Sequence, residues 1–190
     1  MVEVGFFRTM TTTLSVTADL KLEWEYTNLV DISTVVDDTI YREKQEFADG
    51  TSDEQVNRMF RDRVTLSPAS PTADYDLAGV LVDVFGQTLT FTKIRVIAVV
   101  NKGEPNTGHT AWTPVTGTNV VVGDAASNPF STLFDDDADG KIKIPSGGMF
   151  AITAPYDGWA VTAGTGDILR LALESASADA DVDLIVIGVG

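Results

Sequence analysis

Three aspartates alternate in the segment LFDDDADGKIKI, namely Asp135, Asp137 and Asp139, and a glycine follows them. A calcium-binding loop places oxygen ligands at positions 1, 3, 5, 7, 9 and 12 and glycine at position 6. The three aspartates fit the first three of these positions, but position 12 is Ser146, where a bidentate glutamate is wanted. Two interpretations therefore stay open: a weak surface calcium site, or an acidic hairpin turn in which Asp and Gly are the expected residues.

Three aromatic residues are candidates for a sugar-binding surface: Trp112, Tyr156 and Trp159. Glycan sites commonly expose aromatic rings beside Asp or Asn. The three tryptophans of the chain are scattered singly, however, and a place in a core or an interface explains each of them as well.

Side chains that catalyse reactions are scarce. The chain has no cysteine and one histidine, His109, which lies in a loop rich in Gly and Asn. No GxSxG elbow, phosphate-binding loop or dinucleotide fingerprint is present. A zinc site would need several His or Cys ligands, and the chain has one His and no Cys. We therefore expect a protein that is not an enzyme and that needs no cofactor, calcium being the one open question.

The strongly acidic composition of the chain disfavours negatively charged partners. The chain carries 28 acidic residues against 13 Lys and Arg, for a net charge of −15. Binding to nucleic acid by counterion release and binding to an anionic membrane surface are both disfavoured. No signal-peptide pattern and no run of about 20 apolar residues is present, so we expect a protein made in a cytosol.

Short segments with strand signals dominate the chain. LKLEWEYTNL alternates Leu20, Leu22, Trp24 and Tyr26 with charged residues, which predicts a half-buried strand. Residues 89–100 predict a buried central strand, and the apolar C-terminal run predicts a strand inside a sheet. Together these segments predict an all-β, antiparallel β-sandwich, jelly-roll-like, with an immunoglobulin-like sandwich as the alternative.

The predicted organisation is an N-terminal arm, residues 1–13, and a single β-sandwich domain, residues 14–190, with a possible subdivision near 67–72 at the proline-containing break. Two brief segments, TVVDDTIYREKQEF and SDEQVNRMFRDR, are candidates for the few short helices. Phe6 and Phe7 would be apolar anchors of the arm on a neighbouring molecule, or would pack under the protein's own sheet.

From Asp76 onwards, four segments occur in an order that resembles a group of small proteins of tailed phages and prophages, usually described only as hypothetical. The segments are DLAGVLVDVFGQTLTFTKIRVIAVVNKG, NVVVGDAASNPFSTLF, KIKIPSGGMFAITAPYDGWAVTAGTGDILRLALES and DVDLIVIGVG. LKLEWEYT also resembles their opening strand. The acidic FDDDADGK loop falls where that group varies, which favours a turn over a shared metal site.

The resemblance implies a virion component, namely a decoration or cement protein on the outer surface of the head. It implies the major capsid protein and further copies of the chain as partners, the latter as a homotrimer, and synthesis in the host cytoplasm. It implies no catalytic residue. The alternative is a tail or baseplate component whose β-sandwich binds a host-surface glycan.

Overall fold

The computed structural model describes the backbone of residues 12–30, 33–104 and 118–190. The described part confirms the all-β prediction, because its single helical element is a 3-10 turn at Ser131–Phe134. The strands in chain order are β1 (Val16–Val30), β2 (Ser33–Asp49), β3 (Gln55–Val56), β4 (Arg58–Leu66), β5 (Thr72–Asp76), β6 (Leu81–Val82), β7 (Thr88–Leu89), β8 (Lys93–Asn101), β9 (Val120–Gly123), β10 (Lys141–Ile144), β11 (Met149–Thr153), β12 (Trp159–Ala160), β13 (Ile168–Leu173) and β14 (Ala180–Val189).

Two antiparallel sheets form the body of the protein. One sheet has the order β10-β9-β13-β5, and the other has the order β11-β8-β14-β4 with the short β12 beside β8. Leaving out the short β12, the eight strands pair in a nested way. The outermost pair along the chain is β4 with β14, followed by β5 with β13, β8 with β11 and, innermost, β9 with β10. This nested pairing is the strand order of a jelly roll, so the structure confirms the predicted fold class.

The main core lies between the two sheets, and strand periodicity builds it. In β13, Leu169 and Leu171 are fully buried, whereas Arg170 between them points outwards and pairs with Asp74. From the opposing sheet Leu184, at the centre of β14, packs into the same cluster. Alternation of this kind puts every second side chain on the inner face of each sheet. The predicted central strand β8 and the C-terminal strand β14 both lie inside their sheet.

A smaller second core lies on the outer face of the β11-β8-β14-β4 sheet. Phe47 and Val56 are buried there against Val96 of β8 and Ile187 of β14. The β8–β14 register shifts between Ile187 and the following glycine, which marks a β-bulge at this point. The second core fastens β1, β2 and β3 to the body.

Both predicted helices are wrong. TVVDDTIYREKQEF lies within β2, and SDEQVNRMFRDR forms a turn followed by β3 and β4. In β4 the long ladder to β14 and the burial of Phe60 in the main core stabilise the extended backbone. β2 is extended because it pairs with β1 along its length. Such tertiary pairing overrides the helical propensity of Glu, Lys and Arg.

The proline-containing break at 67–72 connects the two sheets. It is a tight turn, closed by hydrogen bonds between Ser67 and Ser70, that takes the chain from β4 in one sheet to β5 in the other. Of the predicted N-terminal arm, residues 1–11 lie outside the described residues. No helix in the described ranges is long and apolar enough to cross a membrane.

Candidate interaction surface

A long two-stranded ribbon projects from the body. β1 and β2 pair residue by residue from Val16 opposite Phe47 to Val30 opposite Ser33. The side chains of Val16 and Phe47 belong to the second core, which anchors the base of the ribbon on the outer face of the sheet. Beyond this base the described side chains of the ribbon are mostly exposed, which shows that the ribbon leaves the body.

One face of the ribbon carries an uncovered apolar stripe. Leu20, Leu22 and Trp24 of β1 share this face with Tyr41 of β2, because Leu22 pairs with Tyr41. Their exposed fractions are 53%, 52%, 42% and 48%. The prediction of a strand was right, but the prediction that this strand is half-buried in the protein was wrong, because no other element of the described chain covers its apolar side. The stripe continues the face that is buried at the base.

The opposite face of the ribbon is charged and internally paired. The Arg42 guanidinium donates to both carboxylate oxygens of Asp19, with Nε–O distances of 2.9 and 3.0 Å. This hydrogen bond holds the pKa of Asp19 below its ordinary value. Lys21 pairs with Glu23 at 2.6 Å on the same face. Glu43, in contrast, lies on the apolar face opposite Leu20 and makes no ion pair among the described residues.

A second uncovered surface lies on the outer face of the β11-β8-β14-β4 sheet, beyond the second core. The register places Ala98, Val100 and Ala151 on this face, next to the partly exposed Ile185. Met149, on the same face, is 76% exposed. We call this region the outer-face groove, and it is defined by these apolar residues together with Arg61, Arg63 and Asp183.

Cationic side chains border the outer-face groove along β4. A depression of about 370 Å³ lies between β4 and β14 and is lined by Arg61, Asp62, Arg63, Asp183, Leu184 and Ile185. The Arg63 guanidinium donates two hydrogen bonds to Asp183 at 2.5 and 2.9 Å, and Lys102 reaches the same carboxylate at 3.1 Å. The Arg63 hydrogen bond, more than the Lys102 contact, lowers the pKa of Asp183. Arg61 is exposed and makes no ion pair with any described residue.

The predicted calcium residues lie in a tight turn between the 3-10 turn and β10. Asp135 adopts a left-handed backbone with φ of 57°, a conformation that Asp tolerates better than most residues. One carboxylate oxygen of Asp137 accepts a hydrogen bond from the backbone N–H of Asp139 at 3.0 Å. In the described ranges no three acidic or histidine side chains gather as a metal site would require. The geometry is that of the turn interpretation, and the calcium interpretation stays a prediction.

The predicted sugar-binding aromatics and arm anchors have different surroundings. Tyr156 is 59% exposed, whereas the Trp159 side chain is partly buried against the main core and its backbone pairs with Ile94 in β8. Trp112 lies outside the described residues, and so do Phe6 and Phe7. Of the two aromatics that the structure describes, Tyr156 is the exposed one, and the sugar-binding site stays a prediction.

Sequence reasoning missed two buried polar anchors. Arg95 is 1% exposed, and its guanidinium donates to the carbonyls of Pro155 at 2.6 Å, Tyr156, and Ser52 at 3.1 Å. Asn101, at the opposite end of the same strand, is fully buried and donates to the carbonyls of Thr118, before β9, and Ile144, the last residue of β10. The available signal was a polar residue inside or at the end of an apolar β-branched run, as in KIRVIAVVN. These groups hold loops in place and present no reactive atom to solvent.

The chain matches no known family model, and a comparison with curated proteins likewise finds no match.

Proposed function

We propose that the protein is a structural component of a tailed virus that decorates or cements the capsid shell. In this proposal it lies on the outer surface of the head, binds the major capsid protein and acts as a homotrimer without enzymatic activity. The observation that carries the proposal is the pairing of a jelly-roll body with a projecting ribbon whose apolar stripe is uncovered. Exposed contiguous apolar surface of this kind is typical of protein–protein contact sites.

The jelly roll supports this proposal at the level of architecture. Viral capsid proteins and lectins both use double-sheet jelly rolls. Fold alone does not define function, so the exposed stripe of the ribbon supports the proposal alongside the jelly roll. A decoration protein binds through repeated contacts, each of modest area, whose combined strength comes from the symmetry of the shell. The resemblance of the segments after Asp76 to small phage proteins points in the same direction.

The test is a binding experiment with empty heads that lack the protein. The purified chain is added in increasing amounts, the heads are pelleted, and bound copies are counted per major capsid subunit. We expect saturation at a fixed ratio related to the symmetry of the shell, and greater resistance of the decorated heads to heat. Failure of the chain to bind heads at any concentration would refute a decoration role.

Phe6 and Phe7 offer a variant for the same assay. Replacing both by Ser removes the proposed apolar anchors of the arm, and we expect a lower affinity for heads with an unchanged ratio at saturation. A matched control is Phe85→Ser, because Phe85 is 70% exposed in a loop of the body. Equal loss with the control variant would show that the arm has no special part in binding.

A tail component that binds glycans is the second candidate function, because lectins share the jelly roll and the ring of Tyr156 is 59% exposed. Binding of the chain to a host-surface glycan that Tyr156→Ala abolishes, together with a few copies on intact particles and none on heads, would favour it. A glycan array screened with the unaltered chain and with Tyr156→Ala measures this binding directly.

A further inference from the structure

The apolar stripe of the ribbon needs a cover that its own chain does not provide in the described residues. An isolated two-stranded ribbon is at best marginally stable in water, because only one partner strand satisfies each backbone. Here the base is anchored by Phe47 and Val16, but Leu22 and Trp24 further out remain about half exposed. We infer that the stripe packs into the outer-face groove of a second copy of this chain.

The packing at the base of the ribbon shows which surface fits the stripe. There, Val16 and Phe47 of the stripe's own face pack on Val96, Ile187 and Met59 of the sheet's outer face. Beyond this contact the stripe and the outer face of the sheet both continue with side chains that no described element fully covers. Placing the stripe of one copy on the groove of another copy repeats the contact that the base of the ribbon already makes within the chain. In both contacts, aromatic and branched side chains of the ribbon pack on small and apolar side chains of the sheet.

Charge supports the same pairing. The ribbon is acidic, and the one described charge on its apolar face, Glu43, is exposed and has no ion-pair partner among the described residues. Arg61 in the groove is likewise exposed and without an ion-pair partner. In a chain with a net charge of −15, two copies repel each other over most of their surfaces. Glu43 beside the stripe, when it meets a groove bordered by Arg61, gives an attractive orientation to copies that otherwise repel each other.

The area that such a contact buries determines its strength. Four half-exposed side chains of this size offer roughly 300 to 500 Å² of surface, given 150–250 Å² for a whole aromatic side chain. Stripe and groove together then bury on the order of 600 to 1,000 Å², which is below the standard size of a stable interface. The contact is heterologous, because stripe and groove are different surfaces, so each copy can give its stripe to one neighbour and its groove to another. Such a contact forms a ring when the rotation between successive copies closes. We expect an assembly that dissociates on dilution.

The experiment is sedimentation of the full chain over a wide concentration range, with circular dichroism to confirm folding. We expect the unaltered chain to form a closed assembly and Leu22→Asp, at the centre of the stripe, to sediment as a folded monomer. Ile40→Asp is the matched control, because Ile40 is 57% exposed on the opposite face of the same ribbon. A monomeric unaltered chain at every concentration, or equal loss of assembly in both variants, would overturn the inference.

A charge exchange tests the groove itself. Glu43→Arg and Arg61→Glu each place like charges together, and we expect each to weaken the assembly about tenfold or more. The double variant restores an opposite pair and should regain most of the lost affinity. If Arg61→Glu has no effect while Glu43→Arg weakens the assembly, the stripe meets some other surface and the groove assignment is wrong. None of these measurements uses capsids, so a chain that assembles but does not bind heads refutes only the proposed function.

Discussion

Loss of the buried Arg95 guanidinium should destabilise the protein strongly. Arg95 lies at the β-bulge of β8 and links two loops, because it donates to Ser52 on one side and to Pro155 and Tyr156 on the other. Hydrogen bonds from a charged donor contribute about 1.5 to 3 kcal/mol each. The three acceptors are backbone carbonyls, which a substitution cannot remove. Arg95→Met leaves the Tyr156 carbonyl without this donor, whereas the Pro155 and Ser52 carbonyls keep hydrogen bonds from the amides of Glu54 and Gln55.

The expected loss is smaller than the sum of three such bonds, since the loops can relax towards water. We expect Arg95→Met to lower the free energy of unfolding by about 3 to 4 kcal/mol, which is less than three such bonds would sum to. With a urea m-value of about 2 kcal/mol/M, the unfolding midpoint should fall by about 2 M. Arg95→Lys keeps the charge but not the planar fork, and should lose about half as much.

Urea unfolding followed by circular dichroism measures these midpoints, and Lys93→Met is the matched control because Lys93 is exposed on the same strand. Hydrogen exchange adds a local reading. The amide of Glu54 donates to Pro155 at 2.8 Å, and we expect it to exchange faster in Arg95→Met. A midpoint that falls by less than about 0.5 M would refute the account of Arg95 as a loop clamp, since the loss of three hydrogen bonds from a buried charged donor should cost more than that.

Three further predictions concern the body. Gly188→Ala should cost more than about 2 kcal/mol in unfolding free energy, because the new Cβ would lie 2.1 Å from the Lys93 carbonyl oxygen, whereas Gly166→Ala, with 3.8 Å to the nearest atom, should be tolerated. Leu184→Ala should cost about 2 to 5 kcal/mol by leaving a cavity in the main core; a loss equal to that of a surface substitution would contradict this packing. Ionised Asp183 has a pKa lowered by its arginine and lysine partners, so its contribution is present above the ordinary pKa of 3.8 and is lost as pH falls through the lowered value. Between pH 5 and pH 2, Asp183→Asn should therefore lose less stability than the unaltered chain, by about 1 kcal/mol or less because Arg63 is exposed, and equal losses would show that the pair contributes nothing.

The predicted sites differ in how much of their structure the local sequence predicts. The turn around Asp135 was readable, because alternating Asp followed by Gly suits both a turn and the first half of a calcium loop. That no three carboxylates of the described residues gather as a metal site would require could be read only from the tertiary structure. The local sequence did not predict which of the aromatic candidates Tyr156 and Trp159 is exposed. Trp159 is drawn against the main core because β12 pairs with β8, and no local pattern announces that pairing.

The segments around β2 and β4 show why helix and strand were confused. Both contain Glu, Lys and Arg, which favour helices in isolation, and neither alternates strictly. β4 is a strand because β14 provides a ladder of backbone hydrogen bonds and the core takes up Phe60. That ladder joins residues more than 100 positions apart in the chain, so it has no trace in a local window.

The sequence by itself determined that the chain is all-β and which side of each regular strand is apolar, because a strand turns successive side chains to opposite faces. Only the tertiary structure decided which of those apolar sides are covered. β13 and the segment LKLEWEYT of β1 show the same alternation, yet Leu171 is fully buried while Leu22 is about half exposed. The difference lies in what is opposite each strand: β13 faces a second sheet, whereas β1 runs off the body in a ribbon. Burial is a property of such non-local neighbours, and no alternation within one strand specifies them.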